Sequence, residues 1–157
     1  LNFDNVMMLA MDWALRRTGA TAGMINIITP DGAGLVPVVA LGYAVNITQW
    51  DNTNPIPVSQ GIAGRAARTR EIQIVHDVKH DPDYIDLLDT TCIEIAIPME
   101  MRGRIIGVLN IESDEPDAFD TVDLAFVRRL AQRAAVALDN ARLYRGAARR
   151  AAGLPAL

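Results

Sequence analysis

The single thiol of this 157-residue chain is its most reactive side-chain type. Because Cys92 is the only cysteine, the chain forms no intrachain disulfide and no multi-cysteine metal site. A cysteine becomes a nucleophile when a nearby histidine or a helix N-terminus lowers its pKa, and the sequence around Cys92 indicates neither. The sequence therefore favours a small apolar strand residue at this position, with a redox role as the alternative.

A run of metal-binding residue types precedes the thiol, and it consists of His76, Asp77, His80, Asp81 and Asp83. On a helix, the two histidines would share one face. Pro82 and the apolar strand predicted before the run favour a loop instead, and a loop presets no ligand geometry. We therefore predict a solvated acidic loop without a metal ion.

Patterns for serine hydrolysis and phosphate binding are missing or incomplete. The chain has two serines, Ser59 and Ser113, and neither lies in the Gly-x-Ser-x-Gly turn of a serine hydrolase. Residues 61–65 open a predicted helix whose amides could hold an anion, but they lack the lysine and hydroxyl residue of a nucleoside-triphosphate loop. Since no group of residues supplies nucleophile, base and electrophile together, the sequence predicts no catalytic residue and favours binding.

The composition and charge of the chain fit one packed domain in the cytoplasm. Half of the residues are apolar and 22% are charged, which is typical of a globular protein. Fifteen basic and nineteen acidic residues give a net charge of −4, which argues against a nucleic-acid partner. The first helix lacks the basic start of a secretory signal, and the longest uncharged stretch, residues 32–50, is interrupted by proline and glycine. We therefore expect a cytoplasmic protein that does not insert into a membrane.

Hydrophobic periodicity and turn residues predict the elements that position these side chains. A first helix covers residues 3–18, two strands cover residues 22–29 and 35–43, and an irregular crossing segment covers residues 44–58. These elements are followed by a short helix over residues 61–69, a short strand over 71–75, one or two helical turns over 83–89, a hairpin over 92–113 and a long helix over 120–150.

This order predicts the fold class. The strands do not alternate regularly with helices, which argues against a doubly wound nucleotide-binding fold. The order instead predicts an α+β fold, in which the terminal helices cover one face of a mostly antiparallel sheet and the crossing segment covers the other. Residues 1–150 would form this single domain and residues 151–157 a tail or linker.

Four sequence stretches occur in an order that is typical of one known family. They cover residues 57–64, 74–78 with 81–82, 94–99 with 103–113, and 119 with 124–144. Together they resemble a GAF domain, the small-molecule sensor module of bacterial signalling proteins and of cyclic-nucleotide phosphodiesterases. The resemblance covers nearly the whole chain.

The resemblance implies a ligand pocket under the crossing segment, on the sheet face away from the terminal helices. It also implies which residues line this pocket, namely Tyr43, Trp50, Ile62, Asp77, Tyr84, Thr91 and Ile95. The signatures of cyclic-nucleotide binding and of bilin attachment are missing, since Ile93 rather than histidine follows Cys92. Methionine-sulfoxide-reducing relatives use several cysteines and this chain has one, so the ligand and any cofactor stay unidentified.

We therefore expect a non-catalytic sensory domain of a multidomain bacterial signalling protein, such as the histidine kinase of a two-component system. A small-molecule ligand would favour one of two packings of the terminal helices and so bias an attached output domain. The alternatives are a stand-alone redox enzyme that uses Cys92 and a dimerisation module whose pocket is already filled.

The two terminal helices carry more apolar residues than one sheet face requires. On the last helix, two neighbouring stripes cover roughly 200° of the surface. They are formed by Leu124, Val127, Ala131, Ala134, Leu138 and Ala141 and by Val122, Phe126, Leu130, Ala137 and Tyr144. The first helix likewise carries more apolar residues than packing on one sheet face requires. We therefore predict a homodimer through both helices, with contact to a neighbouring domain as the alternative.

Overall fold

The computed structural model describes residues 2–155 and contains one antiparallel sheet with helices on both sides. The strands are β1 (Ala22–Ile28), β2 (Gly34–Leu41), β3 (Ile56–Pro57), β4 (Gln73–Val75), β5 (Ile93–Met101) and β6 (Arg104–Ser113). They pair in the order β3-β2-β1-β6-β5-β4, and every neighbouring pair is antiparallel. The helices are α1 (Phe3–Thr18), α2 (Gly61–Thr69) and α3 (Thr121–Ala151), with short 3-10 turns at Ile47–Gln49 and Val78–His80. The expected α+β class is confirmed.

Local sequence signals account for the ends of the two long helices. The Asn2 side chain accepts a hydrogen bond from the Asn5 amide at the start of α1, and Gly19 ends the helix with a positive φ of 71°. α3 begins with a capping box, in which the carboxylates of Asp120 and Asp123 each accept a hydrogen bond from the other residue's amide. Such a cap stabilises a helix by about 1 kcal/mol.

α3 continues one residue beyond its predicted end, to Ala151. Residues 156 and 157 of the predicted tail lie outside the described residues, and the boundary between domain and tail stays a prediction. In the part of the chain that the structure describes, no helix combines the length and the apolar character needed to cross a bilayer.

Alternation along β5 divides the interior into two layers. Ile95, Ile97 and Met99 belong to the larger apolar cluster, which is packed between the sheet and the helices α1 and α3. Ala96 belongs to a smaller cluster with residues of α2, and Glu94 faces a cavity on the same side. The terminal helices therefore cover one face of the sheet, and α2 with the crossing segment covers the other.

Two local assignments differ from the sequence prediction. The crossing segment contains β3, which pairs with β2 through Ile56 and Leu35 and is too short to produce an alternation pattern. The helical turns predicted over residues 83–89 were wrong, because no helix forms there. The Asp83 amide instead donates to the Asp81 carboxylate over 2.9 Å, and such side-chain turns compete with helical hydrogen bonds.

The two apolar stripes of α3 lie in different environments. Most of the first stripe is buried against the sheet. In the second stripe, Phe126, Leu130 and Ala137 also pack against this core, whereas Val122 and Tyr144 are 60% and 77% exposed. On α1, Leu9 and Trp13 are exposed as well. Part of the apolar surplus predicted from the sequence therefore faces solvent in the single chain.

We expect the protein to sediment as a dimer at micromolar concentration, because pairing α1 and α3 of two subunits would bury this surface. Leu130→Glu should convert the dimer to a monomer. Ile74→Glu, which charges an exposed apolar residue on β4, is the matched control and should leave the dimer intact. Sedimentation velocity measures the difference. A wild-type monomer that Leu130→Glu leaves unchanged would contradict the dimer and favour a neighbouring domain.

Candidate functional site

A cavity of about 320 Å³ lies on the α2 side of the sheet. Its floor consists of side chains from β1, β2, β5 and β6, and its walls come from the crossing segment, the first turn of α2 and residues 85 and 87. The latter two belong to residues 82–91, which form neither helix nor strand and which we call the rim segment. The dimerisation alternative assumed that protein side chains fill this cavity, but the structure leaves it open. Its size suits a small molecule.

Two carboxylates lie side by side in the floor of this cavity. Glu94 of β5 and Glu112 of β6 are directly paired in the antiparallel ladder, and only 6% and 3% of their surface is exposed. Burial raises the pKa of Glu94 well above its usual range, and the charge of Glu112 raises it further. Burial also raises the pKa of Glu112. Since two adjacent buried carboxylates disfavour double ionisation, the pair favours a state that keeps one proton.

Two tyrosines bind one member of this acid pair. Tyr43 and Tyr84 donate hydrogen bonds to the two carboxylate oxygens of Glu112, the second over 3.3 Å. Asn110 donates from Nδ2 to the Tyr43 oxygen over 3.3 Å. Burial and the charge of Glu112 raise the pKa of Tyr43 well above its usual range, so its hydroxyl stays a donor. These donors favour the negative charge on Glu112 and the retained proton on Glu94.

The floor also contains a buried acceptor without a partner. Asn26 of β1 donates from Nδ2 to the Asn110 side-chain oxygen over 3.2 Å. Its own Oδ1 accepts no hydrogen bond from the described residues. Such an unsatisfied buried group is unfavourable by about 1–3 kcal/mol. Together with the acid pair, this oxygen makes the floor suitable for a ligand that donates hydrogen bonds, such as an ammonium group.

Another wall of the cavity carries the N-terminal end of α2. Gly61, Ile62 and Gly64 line the cavity, and Gln60 provides no side-chain hydrogen bond to cap the helix. Gly64 permits close packing, because a β-carbon there would lie 2.5 Å from the Val58 carbonyl oxygen. The first-turn amides of a helix favour an anion. The cavity therefore combines an acidic floor with a wall of positive potential.

Several residues implied by the family resemblance lie at this cavity. Tyr43, Trp50 and Ile62 line it directly. Tyr84 is not part of the lining, but its hydroxyl reaches Glu112 in the floor. As contacts to a bound ligand, these residues stay predictions.

The other three implied residues lie outside the lining. Asp77 is on the surface, where its carboxylate lies 2.7 Å from Nδ1 of His80. Thr91 is buried outside the lining, close enough to Glu112 for its hydroxyl to oppose the rise in the pKa of that carboxyl. Ile95 belongs to the cluster under α1 and α3, because it directly follows Glu94 and so lies on the opposite face of the sheet. Asp77 and Ile95 therefore lie away from the cavity, whereas Thr91 lies beside the acid pair in its floor.

Sequence reasoning missed the polar residues of the floor, which are Asn26, Glu94, Asn110 and Glu112. A signal existed, since each lies in a strand whose neighbouring residues are mostly apolar. A polar side chain in such a strand needs either an internal partner or a cavity. The sequence did not reveal that these four meet, because the pairing of the strands decides this.

The single thiol is not part of the cavity lining. Cys92 directly precedes β5, is half-buried, and its Sγ donates to the Thr90 carbonyl oxygen over 3.9 Å. Backbone hydrogen bonds to Val78 and Ser113, of 3.0 and 2.8 Å, hold it in place. It follows the rim segment immediately. Within residues 2–155, no three His, Cys, Asp or Glu side chains are arranged to hold a metal ion.

A sheet of this strand order, with the terminal helices on one face and a cavity under the crossing segment on the other, is the architecture of a GAF domain. The family model for the GAF domain matches residues 1–139. The chain therefore belongs to the GAF domain family, as its motifs indicated. The GAF domain of a phosphoenolpyruvate-protein phosphotransferase from Coxiella burnetii has the same fold, with a TM-score of 0.81 and 21% identity over 92% of this chain and 87% of that chain.

Two further similar proteins have a named activity. The free methionine-R-sulfoxide reductase of Saccharomyces cerevisiae is 37% identical over 78 residues, which are 49% of this chain and 43% of the relative. The free methionine-R-sulfoxide reductase from Neisseria meningitidis, solved in complex with its substrate, matches with a TM-score of 0.77 and 22% identity over 91% of this chain and 81% of that chain. The chain spans about half the length of the curated relatives that it matches.

These similarities contradict the expectation of a non-catalytic sensory domain, which is therefore wrong, as is the expectation that the chain is no enzyme. The lack of further cysteines had favoured the sensor. One thiol is nevertheless sufficient for a first reduction step when an external dithiol completes the cycle. The GAF fold is confirmed, whereas membership of a two-component histidine kinase is not.

Proposed function

We propose that this chain is a GAF-fold reductase that acts on a free amino-acid sulfoxide, with methionine-R-sulfoxide as the substrate. The observation that carries this function is the charge pattern of the cavity, with an acid pair and an unpartnered amide oxygen in its floor and an uncapped helix N-terminus in its wall. A free amino acid carries the complementary groups, an ammonium and a carboxylate, on one carbon atom. The similarity to the yeast reductase indicates the sulfoxide.

In the proposed complex, the substrate ammonium donates hydrogen bonds to the acid pair and to Asn26 Oδ1, which satisfies the unpartnered acceptor. The substrate carboxylate lies at the first turn of α2, where backbone amides and the helix dipole favour an anion. Trp50 and Ile62 line the same cavity and provide apolar surface for the methylene and methyl groups. Binding therefore selects a free amino acid over a residue within a peptide, whose amine and carboxyl are both amidated.

The proposed reaction uses the thiol of Cys92, the chain's only cysteine. Its sulfur attacks the sulfoxide sulfur, the S–O bond breaks, and the oxygen ends on the cysteine sulfur as a sulfenic acid. The substrate sulfur gains two electrons and leaves as a thioether, while the cysteine sulfur loses two. An external dithiol then restores the thiol and leaves as a disulfide, with release of one water molecule.

Cys92 has to reach the substrate for this step, although it lies outside the cavity lining. It lies at the end of the rim segment, which has neither helical nor strand hydrogen bonds of its own. The reaction therefore requires the rim segment to open, so that the substrate sulfoxide reaches the thiol.

Cys92→Ser is expected to abolish the reduction of free methionine-R-sulfoxide by dithiothreitol, because it removes the only thiol of the chain. Chromatographic measurement of the methionine formed tests this. Thr90→Ser, a small change two residues before the thiol, is the matched control and should retain wild-type turnover. A wild-type protein that forms no methionine, or turnover that survives Cys92→Ser, would overturn the proposed function.

A further inference from the structure

The rim segment closes one side of the cavity although it contains no regular secondary structure. Ile85 and Leu87 form part of the cavity wall, and Tyr84 donates a hydrogen bond to Glu112 in the floor. The backbone hydrogen bonds within the segment span only two or three residues. A segment of this kind opens at a low free energy unless side chains hold it to the rest of the fold.

Arg65 of α2 binds Asp81, which directly precedes the rim segment, and Asp83 within it. Its guanidinium forms a bidentate ion pair with Asp81, with N–O distances of 2.8 and 2.9 Å, and a further bond of 3.0 Å to Asp83. Its Nε donates to the side-chain oxygen of Gln73 in β4 over 2.9 Å. The hydrogen bonds from Arg65 lower the pKa of Asp81, so the pair stays charged at neutral pH.

This network is better shielded than the other ion pairs between described residues. The side chains of Arg65 and Asp81 are 22% and 12% exposed, whereas that of Arg102, which pairs with Asp139, is 65% exposed. Arg68 adds a longer contact of 3.5 Å to Asp83. Bidentate, charge-assisted hydrogen bonds with little exposure are stronger than surface ion pairs. Arg65 therefore makes the main polar connection between α2 and the rim segment among the described residues.

We propose that Arg65 is a positioning residue that latches the rim segment over the cavity, so that ligand exchange requires this latch to open. α2 supplies both the latch and, through its first turn, a wall of the cavity, and the network therefore fixes the relative position of two walls. Release of Asp81 and Asp83 removes the ion pairs that hold the start of the rim segment to α2. The role of this opening in turnover rests on the proposed reductase function, whereas the latch itself does not.

Hydrogen exchange of the ligand-free protein tests the latch directly. In Arg65→Gln, the hydrogen-bonded amides of the rim segment, at Asp83, Tyr84, Leu87 and Thr91, should exchange roughly tenfold faster, because the charge-assisted bonds are lost. Arg65→Lys should give an intermediate rate, because an ammonium cannot reproduce the bidentate geometry. Arg102→Gln, which removes an ion pair far from the rim segment, is the matched control. Unchanged exchange in the rim segment, or equal acceleration of the sheet amides, would overturn the latch.

Stopped-flow binding of methionine-R-sulfoxide tests the effect of the latch on ligand exchange. Trp50 lines the cavity and reports binding by fluorescence in a Trp13→Phe background, which removes the other tryptophan. Arg65→Gln should raise both the association and the dissociation rate by roughly tenfold and change the equilibrium constant less. Equal rates in both proteins would contradict the latch. Failure of every variant to bind would instead contradict the proposed function, and hydrogen exchange would still decide the latch.

Discussion

Glu94→Gln is expected to stabilise the protein at neutral pH and to raise its melting temperature by roughly 3–6 °C. The folded protein buries this carboxyl against Glu112, whereas the unfolded chain exposes it to water. The pKa of Glu94 is therefore higher in the folded than in the unfolded state, and folding becomes less favourable as the pH rises above the unfolded value. A neutral amide removes this penalty and donates a hydrogen bond to the ionised Glu112.

The stabilisation should depend on pH. Below the unfolded pKa of about 4.3, both states keep the proton, so the variant and the wild type should melt at similar temperatures. The advantage of the variant should appear above this pH and increase through the raised pKa of the folded protein. Thermal melts between pH 4 and pH 8 measure this advantage. Glu100→Gln, which neutralises an exposed partner of Arg70, is the control and should give no gain in melting temperature. Equal stabilisation at pH 4 and pH 8 would refute the buried acid pair as its cause.

Glu112→Gln is expected to weaken the binding of methionine-R-sulfoxide by roughly 30- to 100-fold. The hydroxyls of Tyr43 and Tyr84 favour the charge on Glu112, so this carboxylate is the one that a substrate ammonium would meet. Titration calorimetry in a Cys92→Ser background measures affinity without turnover. N-acetylmethionine sulfoxide, which lacks the ammonium, should bind weakly to the parent protein and lose little further affinity in the variant.

The affinity of the wild-type site should rise between pH 5.5 and pH 8, because the ammonium competes with the proton that the acid pair keeps. Binding should release up to one proton, which is measured from the heat in buffers with different ionisation enthalpies. Glu100→Gln should show unchanged affinity and proton release. Affinity that falls over this pH range, or a Glu112→Gln variant that binds as tightly as the wild type, would exclude an ammonium in the acidic floor.

The predictions for Glu94→Gln and Glu112→Gln together describe a compromise between the stability of the fold and the affinity for the ligand. Glu94 and Glu112 destabilise the empty fold by placing two acids in a buried position, and the same arrangement provides the charge for binding. The gain in stability from Glu94→Gln should therefore be accompanied by weaker binding, as is common when a site is optimised for function over stability.

The elements that were predictable from the sequence are those with local signals. α1, α3 and the hairpin of β5 and β6 follow from periodicity, caps and a tight turn, all of which involve residues close together in the chain. β3 was not predictable, because a two-residue strand exists only through its partner β2. The rim segment was misassigned as helical, because its conformation depends on Asp81 and on Arg65 of α2.

Membership of the GAF family followed from motifs that occur in a characteristic order, and the resemblance implied Tyr43 and Trp50, which line the cavity. The chemistry of the floor depends on tertiary structure. Alternation indicates which residues of one strand share a face, but the register of strand pairing decides which residues stand opposite. Glu94 meets Glu112 through the register of β5 with β6, and Asn26 reaches Asn110 because β1 pairs with β6 on the other side. These contacts join positions far apart in the chain, and only the assembled sheet places them in one cavity.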